Sequence, residues 1–388
     1  MRKVVFVLLC AMVFSIPWEE MAVLPGAQSG LFTLGCATLA LACATAIIRL
    51  QIRNPPAAYR IFALYIGWNF LSLSWAPDSL VAAGKSLTFL SLLLFAWMIW
   101  EFADREENIL WLFRSYVLGC CVSLLMMLAA YAADPSSYDR YTGGGLNQND
   151  LAIILDISIP LAAYLASRPS RGAAPHRKLY WAYITAAIIG VVLTGSRDGI
   201  ITLGAGLAVM AVALGRQGYK AAAGLIVTAC FALLIIPRDI SEVIISRFAE
   251  GGEAHTFQLR VMFWKAGLEY WRGHPLIGCG VGNFMIAITP IAAHANVAHN
   301  TFISVLVEGG LIGFCLMAAA WALLARTILA MARNEKFLWL TILAIWIGGS
   351  MALSWEYSKS TWLIYACAMT HCAAQRGRRG LQAAEERA

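Results

Sequence analysis

Residues 297–313 read VAHNTFISVLVEGGLIG, and the apolar run that opens there continues to about residue 325. A run of that length crosses a bilayer as a helix, which takes roughly 20 residues. His299 and Asn300 stand at its mouth, and Glu308 lies inside it. A lone carboxylate in hydrocarbon costs about 2.5–3.5 kcal/mol even on the lenient insertion scale. The stretch therefore predicts a membrane-spanning helix whose few polar groups have partners or work to do.

Similar runs recur along all 388 residues. Twelve are predicted, with cores near 4–18, 31–48, 58–75, 86–100, 109–132, 151–167, 179–194, 199–215, 221–237, 301–325, 337–354 and 360–374. The chain is 60% hydrophobic and 13% charged, about half the charged share of a soluble domain. We expect an all-α integral membrane protein, one polytopic domain over residues 1–388. A long external loop, 238–298, joins the ninth and tenth spans.

The net charge of +7 invites a nucleic-acid reading, but its distribution points elsewhere. With the loops numbered alternately, 20 of the 29 Lys and Arg fall on one side, among them Arg2, Arg53, Arg168, Arg333 and Arg376. The positive-inside rule makes that side cytoplasmic, with both termini on it. Arg2 and Lys3 before an apolar run resemble a signal peptide. "SIPWEEM" follows instead of a small-x-small cleavage site, so a retained first helix is expected. Nine of the ten cysteines fall in or beside apolar segments, and no CxxC occurs. They read as small buried apolar residues, not as a disulfide framework or a metal site.

The external groups are few. Segment seven ends in "LTGSRDG", which puts Arg197 at the outer boundary. The long loop holds "FQLRVMFWKAGLEYWRGHPLIGCGVGNF", helical in pattern from Phe257 to Trp271. There Arg260, Trp264, Leu268 and Trp271 share one face, with Lys265, Glu269 and Arg272 as an adjacent polar stripe. His274-Pro275 ends that helix. Gly278-x-Gly280-x-Gly282 has no strand before it and reads as a turn, not a phosphate cradle.

Arg140, Arg197 and Arg260 offer planar forks that match phosphate oxygens. They could equally snorkel to lipid headgroups or pair with Asp198, Asp139 or Glu253. His299 suits a base or a structural interface residue. A metal role is rejected, because His294 is five residues away and no carboxylate cluster stands beside it. Asn300 is placed to cap the following helix. Glu308 comes nine residues after His299, at roughly 100° per residue, so it faces the opposite side. It is expected to pair with a neighbouring helix, which Gly309-x-x-x-Gly313 lets approach closely. Asp156, inside segment six, also needs a partner.

In order, "LTGSRDG", "LRVMFWKAGLEYWRGHPLIGCGVGNF" and "AHNTFISVLVEGGLIG" resemble the blocks of the O-antigen ligase family. The likeness covers about residues 140–315. It implies a GT-C-type membrane glycosyltransferase with a periplasmic helical loop between helices 9 and 10, in the bacterial inner membrane. The family's reaction moves a glycan from undecaprenyl pyrophosphate to a hydroxyl of lipid A-core, in lipopolysaccharide biosynthesis, without metal or cofactor. The resemblance implies His299, Arg260 and Arg197 as catalytic residues, with Arg140 a further candidate; Arg140, Asn300 and Trp264 are expected to bind substrate. Asp198 departs from the pattern, where glycine is common, and is expected to neutralise Arg197 in part. Rival readings are a polysaccharide polymerase, a protein oligosaccharyltransferase, and a proton-coupled transporter using Asp156 and Glu308.

Overall fold

The computed structural model describes residues 1–22, 30–50, 52–133, 142, 146–168, 174–214, 223–224, 226–227, 254–292 and 295–385. Among them are thirteen α-helices and no strand. In chain order these are α1 (Arg2–Ser15), α2 (Gly30–Arg49), α3 (Ala57–Leu71), α4 (Ser79–Phe102), α5 (Glu106–Ala133), α6 (Gln148–Ser167) and α7 (Ala174–Leu193). There follow α8 (Arg197–Leu214), α9 (Ala254–Gly273), α10 (Phe284–Ile288), α11 (Thr301–Leu329), α12 (Arg333–Ser350) and α13 (Lys359–Glu385). Eleven of the twelve predicted segments coincide with helices. The ninth, 221–237, lies outside the described residues apart from four positions. Among the described residues, five helices are long and apolar enough to cross a membrane by length and composition: α2 (from Phe32), α4, α5, α6 and α11.

Helix α6 is the hub, buried along nearly its whole length and packed by α5, α7, α8 and α12. Small residues admit its neighbours. A Cβ on Gly199 of α8 would lie 2.5 Å from the Ala152 Cβ, and one on Gly349 of α12 would lie 2.7 Å from Ile153. Such close backbone approach is how helices pack where lipid removes the hydrophobic drive. Asp156 finds its partner across this contact, accepting from the Thr202 hydroxyl of α8 at 2.6 Å.

The helix ends form two polar layers. At one, Arg2 pairs with Asp104 at 2.7 Å, Glu101 accepts from the Arg53 amide at 2.8 Å, and Arg168 bridges Glu106 and Glu335. At the other, Trp355 donates to Asp150 at 2.6 Å, Asn300 donates to the Met351 carbonyl at 3.2 Å, and Lys359 pairs with Glu19. Residues sorted to the basic side by the charge count thus meet one another, and the candidate site residues lie at the opposite end.

Helix α11 is interrupted at Gly310, where φ is +62° and ψ −169°. The groups freed by the break are taken up by the glycine-rich turn before α10. The carbonyls of Val307 and Glu308 accept from the Cys279 and Gly280 amides, each at 2.9 Å. The amides of Leu311 and Ile312 donate to the carbonyls of Pro275 and Leu276 at 2.8 and 3.2 Å. The Gly309 carbonyl accepts from the Trp68 indole of α3 at 2.9 Å. A broken helix in apolar surroundings requires this complete re-satisfaction of its backbone. Glu308 belongs to the same joint. The sequence paired it with another helix; instead its carboxylate accepts from the backbone amides of Gly282 and Phe284 at 2.8 and 3.4 Å. Gly278, with φ +68°, could not carry a side chain there, since a Cβ would come 2.4 Å from the Val307 carbonyl oxygen. "GCGVG" and "EGGLIG" are therefore two halves of one structural clasp.

Candidate active site at the end opposite the basic layer

The T-G-S-R block is a helix–turn–helix joint. Helix α7 gives way to Thr194 and to Gly195 at φ +59°. The Ser196 hydroxyl accepts from the Gly199 amide at 3.1 Å, capping α8. The same hydroxyl donates to the Asn149 side chain of α6 at 2.9 Å, fixing the joint to the hub. Arg197 and Asp198 become the first two residues of α8, where the helix N-terminus favours a negative charge at Asp198. The Arg197 Nε and Nη2 are shielded from solvent.

Helix α9 supplies the second cation. Its half-buried residues include Arg260, Trp264, Leu268 and Trp271, while Lys265, Glu269 and Arg272 are exposed, as the spacing predicted. Phe263 and Ala266 form its deepest face, packed with Phe284, Ala298 and Val307. Arg260 meets Asp198 across the site, Nη1 and Nη2 both reaching Oδ2, at 3.3 and 3.4 Å. The sequence offered Asp198 to the external arginines and expected it to neutralise its neighbour Arg197 in part; the structure pairs it with Arg260.

His299 joins this pair from the short segment before α11. Its φ of +46° is rare for a residue with a side chain. Burial, and then the Arg260 charge, push the imidazole below its ordinary pKa, while Asp198 pulls the other way. The ring is therefore neutral at neutral pH and free to accept a proton. One turn along α9 from Arg260, the Trp264 indole N–H donates to the Ala298 carbonyl at 2.7 Å. What Trp264 touches is thus the backbone that carries His299. Asn300 has both ends of its amide engaged: Oδ1 accepts from the Phe302 and Ile303 amides at 3.0 Å, and Nδ2 donates to Met351. It caps α11 and anchors it to the α12–α13 link. Arg140 lies outside the described residues. Among the described residues no three His, Cys, Asp or Glu side chains gather to hold a metal ion.

Two groups here were not singled out from sequence. Ser196 was findable as the capping type directly before a helix start. Glu356, in the α12–α13 link, is buried, accepts from Ser304 at 2.8 Å, and is pushed up to about 7 by burial and by Glu308. Its signal was a carboxylate between aromatic residues in "SWEYS".

A helical, multi-pass membrane fold with cations and a neutral imidazole converging at one end defines a class: an integral membrane protein with a polar site at the helix ends. Within that class, residues 182–318 match the family model described as O-antigen ligase. An O-antigen ligase of Pseudomonas aeruginosa is 28% identical over 293 residues, which is 71% of this chain and 67% of that protein. The family is one of glycosyltransferase-type ligases.

Proposed function

We propose that the chain is an O-antigen ligase of GT-C type with about twelve spans. On this reading the basic helix ends face the cytoplasm of the inner membrane, and the site opens at the periplasmic surface. It joins a glycan borne on undecaprenyl pyrophosphate to a hydroxyl of lipid A-core without a metal. The observation that carries this reading is the convergence of Arg260, Asp198 and His299, with Arg197 next in sequence at the head of α8.

The chemistry follows from those groups. The acceptor hydroxyl attacks the anomeric carbon as its proton passes to His299, a contribution of about 10²–10⁴ in rate. The new C–O bond forms as the bond to the pyrophosphate oxygen breaks, and the electron pair leaves on the pyrophosphate. Arg260 and Arg197 stabilise the charge that grows there. Attack opposite the leaving group inverts the anomeric centre. Afterwards His299 returns its proton to water. Trp264 and Asn300 act by holding the His299 segment, and Arg140 belongs to the donor side on resemblance alone.

Purified protein, a lipid-pyrophosphate glycan, lipid A-core and a chelator test this by mass spectrometry of the products. Glycosylated lipid A-core is expected from the wild type, and its loss from His299→Ala and Arg260→Ala with folding intact. Wild-type transfer by either variant sinks that residue's assignment. Transfer only to the growing glycan would make the protein a polymerase.

A further inference from the structure

Asp198 is unexplained by the scheme above, since a carboxylate beside a phosphate-binding arginine opposes anion capture. The geometry gives it a use. Both terminal nitrogens of Arg260 converge on one carboxylate oxygen, at 3.3 and 3.4 Å. Those distances are beyond the usual 2.7–3.2 Å of an N–H···O bond. The contact is a loose one that a better anion can displace, and a pyrophosphate presents several oxygens to a planar fork. Trp264, one turn along α9 from Arg260, is bonded to the residue before His299. The base therefore stands beside the same pair.

We propose that Asp198 is a donor-gated positioning residue: it holds Arg260 while the site is empty, and when the donor pyrophosphate draws Arg260 away, it is left to stabilise the imidazolium that forms on His299. The inference rests on the ligase reading above. No bond is made or broken at Asp198. The acceptor proton stays on His299, as in triads where a carboxylate stabilises the imidazolium without being protonated. Among the described residues, the titratable and charged groups around Asp198 are Arg260 on α9, His299 before α11 and Arg197 on α8 itself. Helix α6 adds Asp150, which is tied to Trp355. The opposing influences of Arg260 and Asp198 on the imidazole are consistent with this exchange.

Two opposite effects are expected of Asp198→Asn. Binding of undecaprenyl pyrophosphate, read by quenching of tryptophan fluorescence, tightens about threefold or more, because the arginine's competitor has lost its charge. The transfer rate at saturating donor falls about tenfold, because the imidazolium has lost its partner. The acid limb of kcat reports the donor-bound enzyme and that of kcat/KM the free enzyme. In the wild type the first limb lies at higher pH; in Asp198→Asn the gap narrows but does not close, because the pyrophosphate's own charge still acts. In an Arg260→Ala background, Asp198→Asn no longer tightens binding. Weaker or unchanged binding, or an unaltered gap between the limbs, overturns the proposal. So does loss of folded protein in both Asp198→Asn and Asp198→Ser, which would make the residue structural. Failure of the wild type to transfer glycan sinks the ligase reading instead, and the binding arm is read without transfer.

Discussion

His299 holds a left-handed backbone conformation, φ +46°, that costs a residue with a Cβ about 1–2 kcal/mol. Its neighbours sustain it: Asn300 caps α11 on one side, and the Ala298 carbonyl is bonded to Trp264 on the other. Trp264→Phe keeps a ring in place and removes only the N–H. Transfer is expected to fall about 10–100-fold with the melting temperature little changed, since small misplacements of a reacting group cost on that order. An unchanged rate would mean that the bond to Ala298 does not position the base. The pH profile gives a second check. A base must be unprotonated, and burial with Arg260 sets the imidazole below its usual 6.5. In kcat/KM, which reports the free enzyme, activity is therefore expected to hold through neutral pH and to fall only as the pH drops below that value; an acid limb of kcat/KM above pH 6.5 would contradict it. Glu356 predicts a trend in stability. Its folded-state pKa is raised from 4.5 to about 7, so above pH 4.5 the unfolded chain releases a proton that the folded chain keeps. The melting temperature should decline as pH rises from 4.5 to about 7 and level off above it, and Glu356→Gln should flatten the decline.

At the scale of elements, apolar run length placed the helices and charge asymmetry sorted their ends, because both are properties of single segments. The amphipathic pattern of α9 and the cap at Asn300 were legible for the same reason. The partners were not. Glu308 sits in an apolar run, where a partner on another helix is the natural expectation, yet the amides it bonds belong to a turn about 25 residues upstream in sequence. Asp198 stood in the sequence as one of three acids open to the external arginines; that α8 presents it to Arg260 of α9 depends on how those helices pack. The break at Gly310 was hidden because three satisfied carbonyls read, in sequence, as unbroken helix. It can be tested by Gly278→Ala, whose Cβ would sit 2.4 Å from the Val307 oxygen at a positive φ. A loss of about 1–3 kcal/mol or more, or failure to fold, is expected; a wild-type melting temperature would show that the clasp tolerates a side chain.

At the scale of the whole molecule, the two ends are held differently. The basic end is fastened by ion pairs of Arg2 with Asp104 and of Arg168 with Glu106 and Glu335, and by the bond from the Arg53 backbone amide to Glu101. The other end relies more on indole and amide donors to carbonyls and carboxylates, as at Trp264, Asn300 and Trp355. Orientation in the membrane follows as an expected outcome. In a cysteine-free background, Lys265→Cys should react with an impermeant maleimide in cells whose outer membrane has been opened. Asn334→Cys should react only after the inner membrane is breached. Both positions are exposed, and the reverse pattern would invert the proposed topology.

The clasp between α11 and the glycine turn also bears on how the lipid-borne sugar chain of the proposed function would reach its cation. Four main-chain bonds and one carboxylate bolt the C-terminal end of α9 to the bundle. Tearing them open where water is scarce would leave polar groups stranded, at several kcal/mol apiece. Helix α9 is thus a shelf and not a flap, and on the proposed function a donor would slide onto it from the side. Slow deuterium uptake at Cys279, Gly280, Leu311 and Ile312, undisturbed by turnover, would be the mark of such a fixture.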